Sequence, residues 1–259
     1  MSVTPDTHHE LAAELWTAVR EKKAIRPLSE RLPELTLADA YAVQRELRAM
    51  ELADGAVLVG HKIGATSEAI QRMFGVDHPD FGHLTDRMLL PDGARLDAAG
   101  LIAPKVEGEI AFRMGKDLRG GDVTAADVLA AATAVHPVLE VLDSRIENWE
   151  IRLVDTVADN TSSARAVIGA PVPFDDVDLA AERMVLETPG QVHTAHGSAV
   201  MGHPAEAVAF LARILDSFGE GIDEGDIVLA GSWAAAVELV PGTVTASFGS
   251  LGSVSLHVD

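Results

Sequence analysis

A short run that carries two acids constrains this chain most tightly: "PKVEGEIAFRMG", residues 104–115. Side chains at i and i+2 of a β-strand share a face, about 7 Å apart by Cα. Glu107 and Glu109 are therefore expected side by side, hemmed in by valine, isoleucine and phenylalanine. Like charges on a half-buried surface repel, and each resists leaving water. Any fold built on this strand has to bring positive charge to it.

That charge is scarce. The chain holds 40 Asp and Glu against 20 Lys and Arg, a formal charge of −20 in 259 residues. Such a balance disfavours nucleic acid and anionic membranes as partners, since it would repel rather than neutralise them. No run of apolar residues is long enough to span a bilayer; the most apolar, "VLAAATAVHPVLEVL", is interrupted by Pro137 and Glu140. The N-terminal residues "MSVTPDTHHELAAELW" lack the basic and apolar regions of a signal peptide, and cysteine is absent. A cytoplasmic protein without disulfide or thiolate chemistry is expected.

Periodicity divides the chain in two. Residues 1–55 read as a helical region. "HHELAAELWTAVREKKA" puts Leu11, Leu15, Trp16 and Val19 near a 3.6 period, and Thr36 with Asp39 forms a capping-box pattern ahead of Val43, Leu47 and Met50. Residues 56–259 read as one compact strand-rich core. It holds strands at "AVLVGHKIG", at the two glutamates, at "VLEVLDSR", and at "DIVLAG", "AAVELV", "TVTASFG" and "GSVSLHV". Helices are expected around "SEAIQRMFG", from Thr124 to about Ala134, and after Pro204. Helices first and strands in bulk afterwards indicate an α+β fold rather than regular βαβ alternation.

Several further residues stand out locally. Glu140 sits between Leu139 and Val141, so three acids on two strands could converge on one hard cation such as Mg²⁺ or Mn²⁺. The same glutamates could equally be the outward residues of edge strands. Lys62, between Gly60 and Gly64, is either a fixed charge facing a substrate anion or a lysine snorkelling from a strand edge. Asp80, between Pro79 and Gly82, is either a general acid/base or an ordinary turn residue. In "DTVADNTSSARAVIG", Asp159, Asn160, Ser162 and Ser163 offer donors to an anion, and also fit common turn chemistry. His78 and His83 flank the Asp80 turn and read as structural or surface residues.

Taken together, "GHKIGATS", "GVDHPDFGHL", "PKVEGEIAF", "LEVLDSRI", "DTVADNTSS", "MGHP" and "GDIVLAGS" resemble, in order and spacing, the 2-oxopent-4-enoate hydratase family of the fumarylacetoacetate hydrolase-like superfamily. The resemblance runs from about Leu11 to the C-terminus. It implies a mixed β-roll core behind the helical region, a homo-oligomer, and a place in meta-cleavage degradation of aromatic compounds. It also implies that Glu107, Glu109 and Glu140 bind one Mg²⁺ or Mn²⁺, and that Lys62 and Asp80 are catalytic. Ser162, Gly231 and Ser232 become substrate contacts.

The implied activity is addition of water to a 2-hydroxy-2,4-dienoate, giving a 4-hydroxy-2-oxo acid. The related 4-oxalocrotonate decarboxylases share the metal site but carry an apolar residue where this chain has Asp80. A C–C bond hydrolase would need a water-activating His-Glu pair, for which no candidate stands out. A non-catalytic partner subunit would have no need of buried acids. Three positions depart from the family pattern: Ala65 replaces a leucine, Gly108 an alanine, and Ala230 a threonine. The first and last bear on the width and polarity of the pocket.

Overall fold

The computed structural model describes residues 3–67, 71–72, 75 and 78–259. Three helices lead: α1 (Pro5–Glu21), α2 (Leu28–Arg31) and α3 (Leu37–Ala53). Thr4 caps α1 ahead of a first-turn proline, and Thr36 with Asp39 closes a reciprocal capping box on α3. α1 packs on α3 through Leu11, Leu15, Val43 and Leu47. Val19, expected on the buried face, is instead 45% exposed. It lies in the last turn of α1, and its partial match to the 3.6 period was misleading there.

The rest of the chain folds into two sheets. The strands are β1 (Leu58–Gly64), β2 (Asp80–Thr85), β3 (Leu89–Pro91), β4 (Ala94–Leu96), β5 (Lys105–Met114), β6 (Ala132–Leu142), β7 (Ser163–Ile168), β8 (Arg183–Thr188) and β9 (Gln191–His196). After α4 (Ala125–Ala131), α5 (Leu153–Ala158) and α6 (Pro204–Ser217) are counted, the last strands are β10 (Ile227–Leu229), β11 (Val237–Glu238), β12 (Gly242–Phe248) and β13 (Ser253–Val258). The larger sheet runs β2-β1-β10-β5-β6-β7-β3, with β11 also paired to β5; the smaller runs β4-β13-β12-β8-β9. Parallel pairs β1–β10 and β3–β7 interrupt an otherwise antiparallel large sheet, giving the mixed α+β fold expected.

Two boundaries differ from expectation. The helix after Thr124 stops at Ala131 rather than Ala134, because Ala132 already begins β6. Thr133 and Val135 suit an extended backbone, and β6 pairs with β5 from Lys105 to Met114. The "AAVELV" strand is reduced to Val237 and Glu238, which pair with Val106 and Lys105. The helix expected around "SEAIQRMFG" falls largely outside the described residues.

Alternation along β5 and β6 sorts side chains into two layers. Val106, Ile110 and Phe112, with Val135, Leu139 and Val141, bury against Met184, Leu186, Val244 and Phe248 of the second sheet. Ala111 and Val138 face the other way, into a smaller apolar cluster with Leu84, Met88, Ala166, Ile227 and Leu229. The glutamates share that second face. Gly60 permits the β1–β10 pairing that completes it: at φ +150°, a Cβ there would overlap the Ile227 carbonyl. Among the described residues, no helix is long and apolar enough to cross a membrane.

His61, beside Lys62 but on the opposite face of β1, has a pKa lowered to about 4, first by burial and then by Arg48 and His83. Between pH 6.5 and 4 the unfolded chain binds a proton here that the folded chain does not. Folding stability is therefore expected to fall as pH drops through this window, by about 3 kcal/mol at most, and to be fully present above pH 6.5. Urea midpoints at pH 7.5 and 5 for wild type and His61→Leu read it: the variant loses less stability on acidification.

Candidate active site

Register decides how the acids meet. Glu107 of β5 lies directly opposite Glu140 of β6, while Glu109 opposes Val138 and so stands diagonal to Glu140 on the same face. One carboxylate oxygen from each of the three lies within 4.8 Å of the others. Their backbones are locked in the middle of a paired sheet, which buries Glu109 and Glu140 fully and leaves Glu107 half-buried.

Two of the acids have a defined but incomplete shell. Gly231 N–H donates to Glu109 Oε2 at 2.6 Å, and Ser163 Oγ donates to Glu140 Oε1 at 2.8 Å. Glu109 Oε1 and Glu140 Oε2 are buried with no hydrogen-bond partner. Glu107 is pushed up to about 8 by burial and by Glu140, against the pull of Lys62. Glu109 is raised for the same reasons, burial first and then both other carboxylates. Oxygen ligands of a hard dication sit ~2.0–2.6 Å from it, hence at most ~4–5 Å from each other. The spacing, the all-oxygen donor set and the two orphaned oxygens fit such an ion.

Lys62 is the cation the two strands call for. Its Nζ stands 3.3 Å from Glu140 Oε2, in an ion-pair contact not aligned as a hydrogen bond, and donates to Thr161 O at 3.4 Å. Burial opposes its charge, but Glu140, Glu107, Asp80 and Glu109 outweigh that, and its pKa is raised. One ammonium faces four carboxyl groups, so protein charge alone leaves the site under-neutralised.

Asp80 opens β2, paired with Gly64, while Lys62 pairs with Gly82. Glycine at 64 permits this approach: a Cβ there would overlap Asp80 Oδ1 and lie 3.5 Å from Lys62 Nζ. Asp80 is 3% exposed, Oδ1 has no partner, and burial raises its pKa despite Lys62. It belongs to a strand lining the site rather than to a free turn.

The remaining residues fall around this centre. Ser162 Oγ is buried and unpartnered, and Ser232 Oγ donates to Ala234 O at 2.5 Å beside Gly231. His83 is structural, its Nε2 2.5 Å from Glu51 Oε2, and His78 Nδ1 donates to Pro79 O at 2.9 Å. Gly108 lies on the core face, where a Cβ would come 2.5 Å from Met184 Sδ, so the sulfur fills the space of the missing methyl. Ala230, expected to bear on the pocket, packs within the main core, and its N–H donates to Ile110 O. Ala65 has φ +52°, and its carbonyl accepts from Gln71 Nε2 at 2.9 Å.

Two groups near the site escaped the sequence reading. Arg145, 4% exposed, clasps Asp159: its backbone N–H donates to Oδ2 at 3.0 Å and its guanidinium to Oδ1 and to the Asp159 carbonyl. Thr161 supplies the carbonyl that holds Lys62. The only signal in the sequence was an arginine near the end of "LEVLDSRI" and a polar run that also reads as a turn.

Comparison with known proteins places this arrangement in context. Residues 62–258 match the family model described as fumarylacetoacetate (FAA) hydrolase C-terminal. The chain is 46% identical over 232 residues to 2-hydroxyhexa-2,4-dienoate hydratase of Comamonas testosteroni, covering 88% of each chain. It is 39% identical over 244 residues to 2-keto-4-pentenoate hydratase of Paraburkholderia xenovorans, covering 93% of this chain and 91% of that one. Among solved structures, 4-oxalocrotonate decarboxylase from Pseudomonas putida G7, complexed with magnesium and adipate, superposes with a TM-score of 0.96 at 38% identity, covering 100% of this chain and 99% of that one.

Proposed function

Because this chain belongs to the fumarylacetoacetate hydrolase family, alongside 2-keto-4-pentenoate hydratases and a 4-oxalocrotonate decarboxylase, we propose that it is a metal-dependent hydro-lyase. It adds water to a 2-hydroxy-2,4-dienoate, through the 2-oxo tautomer, to give a 4-hydroxy-2-oxo acid. The observation that carries this reading is Asp80, a buried acid with an unpartnered oxygen, set beside Lys62 at the edge of a three-carboxylate cluster. Glu107, Glu109 and Glu140 would hold Mg²⁺ or Mn²⁺. Such an ion would supply Lewis-acid polarisation to the 2-oxo acid end of the substrate.

The chain's own groups supply the rest. Lys62, kept charged by its acidic neighbours, faces negative charge developing at the C2 oxygen. Protonation at C5 converts the dienol to the conjugated 2-oxo-3-enoate. Water then adds at C4, and Asp80 carries the proton it releases; C3 takes up a proton as the ketone re-forms. Ser163 fixes Glu140 and the Gly231 N–H fixes Glu109, which keeps two of the acids in place when substrate leaves. Ser162, Gly231 and Ser232 border the substrate. The protein acts in the cytoplasm as a homo-oligomer, readings supported by cysteine-free composition and family resemblance respectively.

The test is the ultraviolet absorbance of freshly made 2-hydroxypenta-2,4-dienoate with protein and Mg²⁺, with and without EDTA, and the product identified by NMR. EDTA-sensitive loss of the dienol with 4-hydroxy-2-oxopentanoate formed is the expected result. Decarboxylation is the second reading, favoured by the likeness to the decarboxylase structure. Release of CO₂ from 4-oxalocrotonate, with no hydrated product from either acid, would replace the first reading with the second.

A further inference from the structure

The longest run of left-handed backbone among the described residues borders the site. Asn160, Thr161 and Ser162 take φ of +50°, +50° and +57°, three consecutive residues with side chains in the left-handed region. Residues other than glycine enter that region seldom, and then singly. Surrounding bonds hold the turn there. Asn160 Nδ2 donates to His83 O at 3.0 Å and its Oδ1 accepts from His83 N–H at 2.9 Å, clipping the turn to β2. Arg145 grips Asp159 on the other side. Strain of this kind persists where the fold over-determines it, and it concentrates at functional sites.

Much of the turn's backbone is paired: Ser162 N–H donates to Asp159 O at 2.9 Å, Ser162 O accepts from Asp143 N–H at 2.8 Å, and Thr161 O accepts from Lys62. The turn leaves two side-chain hydroxyls without partners, Ser162 Oγ and Thr161 Oγ1, both buried. Ser162 already belongs to the proposed substrate site; Thr161, 4% exposed, does not. A Cβ on Gly82 would lie 2.8 Å from Thr161 Oγ1, so this hydroxyl rests directly over Gly82. Gly82 is the cross-strand partner of Lys62 and lies two residues along the same face from Asp80. Asp80 Oδ1 is unpartnered as well. Two orphaned polar atoms thus border the same face of β1 and β2, where a small polar guest would satisfy them.

We infer that Thr161 holds the water that adds to the substrate, together with Asp80; this rests on the hydratase reading. A water molecule has two O–H bonds to direct. One proton passes to the Asp80 carboxylate as the water oxygen bonds to C4. The C3=C4 π electrons move through C2 to its oxygen, and C3 gains one proton when the ketone re-forms. Thr161 takes no proton. Its oxygen accepts a hydrogen bond from the second O–H and aims the water's lone pair at C4. Ketonisation, which needs no bound water, makes no use of Thr161.

The experiment compares Mg²⁺-loaded wild type, Thr161→Val and Thr161→Ser on 2-hydroxypenta-2,4-dienoate in D₂O. It follows dienol absorbance, deuterium at C5 and the hydrated product separately. Valine matches threonine in shape and branching and removes only the hydroxyl. The expected result is hydration slowed tenfold or more in Thr161→Val, with KM within twofold and the rate of C5 deuteration unchanged, and recovery to near wild type in Thr161→Ser. Should Thr161→Val fail to fold, Thr161→Ala removes the hydroxyl with less bulk and carries the same readouts. Hydration at the wild-type rate in the hydroxyl-free variant overturns the inference alone. A parallel fall in hydration and C5 deuteration also overturns it, since that marks a general loss of the site. A wild type that forms no hydrated product overturns the hydratase reading and this role with it.

Discussion

Glu107→Gln is expected to lower turnover by about three orders of magnitude or more while leaving the fold intact, because it removes a charged ligand but keeps the shape. Glu107 faces Glu140 across the β5–β6 pair, and the two repel when both are ionised. In EDTA the substitution therefore relieves a strain. The wild-type Glu107 carboxyl is raised from 4.5 to about 8. Between these values the folded chain retains a proton that the unfolded chain has lost, so the apo protein loses stability as pH rises through this window. Glutamine removes that dependence. The paired signature is an apo melting temperature at pH 8 equal to or above wild type, and loss of the stabilisation that Mg²⁺ gives by binding the folded state. Wild-type activity in this variant would sink the metal assignment.

The second large effect is expected from Asp80→Asn: hydration falls by about 10²–10⁴, the usual worth of a positioned acid/base, while Mg²⁺ still stabilises the fold. Asp80 is held off the three-carboxylate cluster, on a different strand from any of its acids. Its loss leaves Lys62 still paired with Glu140 at 3.3 Å. Dienol consumption by ketonisation is expected to survive, so the 2-oxo-3-enoate accumulates and NMR detects it. An equal fall in metal-induced stabilisation and in hydration would show instead that Asp80 supports the cation site. Retained hydration would remove the main distinction from a decarboxylase.

The carboxylates were legible in the sequence to different degrees. Glu107 and Glu109 share a face because strand period is a local property. Glu140 was visible as an acid among apolar residues, but its alignment with Glu107 needed the β5–β6 register, set by pairing across some thirty residues of intervening chain. Asp80 was harder, because an aspartate between proline and glycine fits a turn as well as a site; the tertiary structure makes it the first residue of β2, facing Gly64. Ala230 was read against a family pattern as a pocket residue, and only its placement in the main core corrected that.

By itself the sequence determined the α+β class, the acidic pair that demands a cation, and the set of motifs whose order marks the family. These rest on local periodicity and on residue chemistry, which survive without coordinates. Only the tertiary structure decided which groups remain unpartnered, and that is where the chemistry lies. Hydrogen bonds from Ser163 and Gly231 satisfy one oxygen each of Glu140 and Glu109 and leave the other without a hydrogen bond. Asn160, bound to the β2 backbone, forces Thr161 into a left-handed turn over Gly82. A polar run such as Asp-Asn-Thr-Ser has no intrinsic reason to adopt three such residues in succession. Long-range hydrogen bonds impose that conformation, and they exist only once the sheet has formed.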